Sequence, residues 1–167
     1  MDVDRLGTGE KIAGISAVIL FFDMFILDWF GFGSVDTAIG EIDIGGGFNA
    51  WQSFDFIDIV LLITVGVAIG VAVMAANASS VNLPVAGSAL VAGLGILSTV
   101  LILYRIIDPP SGADRELGVF VGLIFAAGIA YGGWTAMQEE GTSFGDQAGQ
   151  SRGGGDEPPP PPAPSAG

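Results

Sequence analysis

The stretch from Lys11 to Phe32, KIAGISAVILFFDMFILDWFGF, carries one carboxylate near its middle, Asp23, and a second near its end, Asp28 beside Trp29. Its length is about that of a helix rising 1.5 Å per residue across a hydrocarbon core of roughly 30 Å. A charged aspartate at the bilayer centre costs roughly 2.5–3.5 kcal/mol on insertion scales. The rest of the chain must therefore shelter Asp23, pair it or keep it protonated.

Three more apolar runs follow. Half of the 167 residues are hydrophobic while the net charge is −13, and distribution decides what this means. The apolar residues lie in four long runs, with the acids mostly between and after them, which argues membrane spans over a soluble core. The expected fold is all-α: a four-helix transmembrane bundle over residues 1–137, with spans at about 11–32, 55–77, 83–107 and 115–137. The acidic lead-in and the lack of a cleavage pattern make the first run a retained span rather than a signal peptide. Thr8 or Gly9 is the expected cap of that helix, and Trp29 an anchor at the interface.

The connections are short, except for a Gly- and acid-rich loop over 33–54. Within it, AIGEIDI alternates as a short extended piece does, and Gly45, Gly46 and Gly47 break it. Asn49 or Ser53 is positioned to cap the next helix, and Trp51 suits a headgroup depth. Pro109 and Pro110 stop the third span, because proline cannot continue the hydrogen-bond ladder. From 138 to 167 the chain is acidic, then proline-rich from Pro158 to Pro162, and reads as a disordered tail.

Composition also excludes. The chain has no Cys and no His, so disulfides, thiolate or imidazole metal sites and imidazole catalysis are absent. Only five Lys and Arg are present, too few for a nucleic-acid-binding patch. No nucleophile–base pair stands out, and the reading is a non-enzyme with no cofactor and no metal.

The residues singled out are of three kinds. Asp23 is the intramembrane acid, with Thr64, Ser98 and Thr99 as the polar groups at similar depth. Without a base there, a structural tie through a hydroxyl competes with a role as a proton carrier. Asp28, Asp55, Asp58, Arg105, Asp108 and Arg115 must share one membrane face in either orientation, as a network that clips helix ends or as a cation-attracting mouth. Gly66 and Gly70, Gly118 and Gly122, and Gly128 and Gly132 are spaced by four for close helix packing within the bundle. Arg5 and Lys11 precede the first span, and the 33–54 loop has no Lys or Arg. Both termini are therefore expected in the cytoplasm of a multi-pass cell-membrane protein.

The segments RLGTGEKIAGISAVILFFDMF (5–25), NAWQSFDFIDIVLL (49–62) and AGIAYGGWTAMQEEG (127–141) resemble a group of small bacterial four-span integral membrane proteins. The resemblance implies the architecture and carries no activity. The expected function is packing and interaction in the membrane, with lipid and a homo-oligomeric or other membrane-protein partner. The alternative is a proton- or cation-coupled transporter or channel subunit using Asp23.

Overall fold

The computed structural model describes residues 6–31, 33, 35–37, 40–42, 46–53, 56–77, 86–109, 111–141, 143 and 145. The expected tail and Asp55 lie outside the described residues, apart from the tail's first few positions. The chain runs α1 (Thr8–Ile26), β1 (Asp28–Gly31), β2 (Val35–Thr37), β3 (Gly40–Ile42), β4 (Gly47–Asn49), α2 (Ala50–Ser53), α3 (Ile57–Asn77), α4 (Ala86–Ile107), β5 (Asp114–Arg115) and α5 (Leu117–Glu139). The described part is mostly helical. Among its helices α3, α4 and α5 are long and apolar enough to cross a membrane. α1 has 19 residues and carries Glu10, Lys11 and Asp23, and it is not one of those three.

Two sequence expectations need correction at α1. The helix begins at Thr8, with Gly7 rather than Thr8 or Gly9 at the cap position. Glu10 closes the first turn by accepting the Gly7 N–H at Oε2, 3.0 Å away, which satisfies a donor the helix leaves open. At the other end the helix stops at Ile26 instead of continuing to Phe32. Leu27 donates the last helical bond to Asp23 O (3.2 Å) and is itself extended. No proline or glycine forces this stop. Residues 28–31 are taken by β-pairing instead, which an apolar run read by length alone does not reveal.

The loop over 33–54 is correspondingly more structured than a linker. β2 and β3 pair antiparallel, Val35 with Ile42 and Thr37 with Gly40, so an extended piece does lie within AIGEIDI. β1 is the central strand of a second sheet, ordered β4-β1-β5. β4 comes from the segment before α3 and β5 from the segment before α5. The sheet therefore joins the end of α1 to the starts of α3 and α5.

The four long helices contact one another in a ring: α1 with α5, α5 with α4, α4 with α3, and α3 with α1. The contacts run antiparallel. Gly9 meets Ala136 and Gly132 meets Ala13 across α1 and α5; Gly133 meets Ala92 and Gly95 meets Ala130 across α4 and α5. A Cβ on Gly132, Gly133 or Gly95 would sit 2.5 Å from a facing backbone nitrogen, and one on Gly128 2.5 Å from Ser16 Oγ. α5 thus packs backbone to backbone on two sides, which only glycine allows. Leu20, Met24, Leu61, Val65, Ile102, Val119 and Ile129 fill the centre.

Gly66 and Gly70 do something else. Among the described residues nothing lies within 4 Å of a Cβ at either position. Packing within the bundle is expected of them, and the described helices leave that spacing unused. Leu at Gly132 or Gly133 should therefore cost at least the roughly 1–3 kcal/mol of an overpacked core, whereas Leu at Gly66 or Gly70 should stay within about 0.5 kcal/mol. Thermal unfolding in detergent micelles separates the two groups.

Candidate functional site

Asp23 lies in the last turn of α1 and is 3% exposed. Its partner is none of the hydroxyls at its depth. Thr64 and Ser98 bond each other, 2.8 Å apart, and join α3 to α4. Thr99 turns back to Gly95 O (2.7 Å). The donor to Asp23 is the indole of Trp29, whose Nε1 lies 3.1 Å from Oδ2. Oδ1 is buried with no hydrogen-bond partner among the described residues.

Trp29 reaches Asp23 because the chain leaves the helix after Ile26 while its indole points back along α5, from Gly118 to Gly122. In a continuous helix, six positions would put Trp29 about 240° around from Asp23. In β1 the register with β4 shifts between Asp28 and Phe30. A bulge of this kind re-aims side chains, and here Trp29 and Phe30 both turn inward where plain alternation would expose one of them. They are 0% and 1% exposed. Trp29 is therefore a buried lock and not the interfacial anchor that its position suggested.

The socket for the indole is cut by two glycines of α5. A Cβ on Gly118 would meet Trp29 Cδ1 at 2.5 Å, and one on Gly122 would collide with the far edge of the ring and stand 3.0 Å from Asp23 Oδ2. Gly118 and Gly122 thus admit a side chain rather than a neighbouring helix. Backbone bonds fix the strand beside them: Glu116 N donates to Trp29 O (3.0 Å), and Phe30 and Gly31 pair with Arg115 and Asp114.

Asn49 completes the turn. Its Nδ2 donates to Phe25 O (3.1 Å), one of the carbonyls left open at the end of α1, and its Oδ1 accepts Gln52 N–H (3.0 Å) at the start of α2. One amide thus caps two helices. Sequence reading gave Asn49 a cap, but of the following span and without the second partner.

The remaining polar residues gather at this end in different ways. Asp28 is exposed beside Gly47. Asp58 is 2% exposed in the first turn of α3, where the helix dipole favours an acid. The antiparallel register that joins Thr64 to Ser98 brings Asp58 level with Arg105, in the last turn of α4. Asp108 accepts the Tyr104 hydroxyl (3.0 Å). Arg115 Nε donates to Ile106 O (2.6 Å), tying the end of α4 to β5 through a carbonyl rather than a carboxylate. Among the described residues no three carboxylates converge as a hard cation would need.

The opposite end holds a cluster that sequence reading did not single out. Glu139 Oε2 accepts Gly9 N–H (3.4 Å), and Ser88 Oγ donates to Glu140 Oε2 (2.7 Å). Burial pushes the Glu140 carboxyl above its ordinary 4.5. The Ser88 bond opposes this, and the charges of Glu10 and Glu139 add to it. These pairs join positions 52 and 130 apart, so no local spacing announces them.

No family model, curated protein or solved structure matches the chain.

Trp29→Phe removes the donor to Asp23 and should cost about 1–3 kcal/mol, and Trp29→Ala about 3–5 kcal/mol, in denaturation monitored by circular dichroism. Asp23→Asn keeps an acceptor for the indole and should unfold close to wild type. For Glu140, a raised folded value means the folded state holds its proton more tightly than the unfolded chain does. The stability it contributes is present below 4.5 and is lost as pH rises through the folded value. Glu140→Gln should flatten that slope while keeping an acceptor for Ser88.

Proposed function

We propose that the chain is a four-span integral membrane protein of the cell membrane, with both termini cytoplasmic, which acts by packing with lipid and membrane-protein partners and not by catalysis. The observation that carries this reading is the outward face of all four long helices. Ile15, Phe22 and Ile26 on α1 are 62%, 54% and 68% exposed; Ile63 on α3, Val100 on α4 and Ile124 on α5 are 51%, 56% and 65%. Water would penalise so continuous an apolar surface, whereas lipid does not. The charge that weakens α1 as a span, Asp23, is turned inward.

Aromatic side chains support the same frame. Trp51 stacks on Phe25 with ring centroids 5.8 Å apart near the sheet, and Tyr131 and Trp134 are exposed toward the other end. Two such belts suit the two headgroup regions. In this reading Asp23 is a structural tie.

A second reading is a proton- or cation-coupled transporter or channel subunit using Asp23. The observation favouring it is the buried Oδ1, which has no hydrogen-bond partner among the described residues. Ion flux in proteoliposomes that disappears in Asp23→Asn would put this reading first.

The chain has no Cys, so single cysteines report topology cleanly. An impermeant maleimide should label Ser111→Cys in intact cells and Thr8→Cys only after lysis. Ile15→Cys and Val100→Cys should resist labelling in both conditions. Ready labelling of Ile15→Cys would remove α1 from the membrane.

A further inference from the structure

We infer that the groove between α1 and α3 is a binding site for one phospholipid acyl chain whose zwitterionic, amine-bearing headgroup, of the phosphatidylethanolamine type, sits on Lys11 and Glu10. The inference rests on the membrane reading above.

The groove has a volume of about 260 Å³ and an almost wholly apolar lining. Its walls are Gly14, Ile15 and Val18 from α1 and Ile69, Ala72 and Val73 from α3. It exists because small residues face each other there. A Cβ on Gly14 would already lie 3.2 Å from Ala72 Cβ, so a larger side chain at either position would enter the space. At the top, Leu6 folds onto Ala75 and Ala76 as a small separate cluster. From Lys11 to Val18 the groove descends seven residues, about 10 Å at the helical rise, which is a depth for a chain and not for a compact ligand.

The mouth selects the headgroup. Lys11 is exposed and Glu10 half-buried, and both line the opening. A lysine at this level holds its ammonium at the interface, in reach of a lipid phosphate. Glu10 spends Oε2 on the Gly7 N–H, which leaves Oε1 for a donor. Glu139, bonded to Gly9 N, and Glu140 bring two more carboxylates to the same end. Three acids against one lysine among the described residues here disfavour a headgroup of net negative charge. A phosphate for Lys11 joined to a primary ammonium for Glu10 matches the pair, and a quaternary ammonium lacks the N–H that a carboxylate accepts.

The test is photocrosslinking of the full chain in nanodiscs with equal parts of phosphatidylethanolamine, phosphatidylcholine and phosphatidylglycerol, one of them carrying a diazirine acyl chain in turn. Adducts are mapped by mass spectrometry. Phosphatidylethanolamine should label Gly14, Ile69 and Ala72 about fivefold more than phosphatidylglycerol, the factor expected for one interfacial charge. Glu10→Gln, which keeps an acceptor for Gly7, should erase that preference, and Ala72→Phe should abolish groove adducts while sparing those on Val100 and Ile124. Adducts spread evenly over the outer faces, or absent from the groove with every lipid, overturn the site while leaving the membrane reading intact. Release of the protein from membranes by carbonate alone overturns the membrane reading itself.

Discussion

The indole of Trp29, held between Gly118, Gly122 and Asp23, is the contact on which one end of the molecule depends. It sets where α1 stops, because the chain must leave the helix after Ile26 to bring the ring back against α5. It directs β1 alongside β5, since the same strand that delivers the ring carries the backbone bonded to Glu116, Arg115 and Asp114. It also gives a buried carboxyl group a donor where no basic residue is at hand among the described residues. A buried acid without any bond would weigh heavily against the fold, and one N–H reduces that cost.

The logic of α5 follows from the same economy of volume. Its small residues serve three neighbours in turn: the Trp29 ring at Gly118 and Gly122, α1 at Gly128 and Gly132, and α4 at Gly133. On these faces the helix contributes little side-chain bulk and serves as the surface against which others close, while its Val119 and Ile129 help fill the centre. α3 is different. Its Gly66 and Gly70 stand clear of the chain, and its seam with α1 keeps an open apolar groove. The ring of helices is thus tight around α5 and looser around α3.

The two ends of the molecule differ in kind. One is finished with backbone: a three-stranded sheet, an asparagine capping two helices, and an arginine bonded to a carbonyl. The other is finished with carboxylates, Glu10, Glu139 and Glu140, bonded to helix N–H groups and to Ser88. This second end carries a group whose proton is favoured by burial and by its neighbours.

Much of the helical architecture was legible in the sequence. Long apolar runs bounded by Pro109 and by polar connections mark α3, α4 and α5, because a run of that length has few other ways to satisfy its backbone in an apolar setting. Composition alone removed thiol and imidazole chemistry. The sequence also pointed to Asp23 as the residue needing an answer, since any isolated acid in an apolar run needs one. What that answer is came only from tertiary structure. The partner lies beyond a helix end that no proline or glycine marks, the socket is the absence of two side chains on a distant helix, and the bulge that aims Trp29 depends on pairing with β4. Periodicity reports which face of an element is apolar; which element arrives to cover that face is decided by packing between residues far apart in the chain.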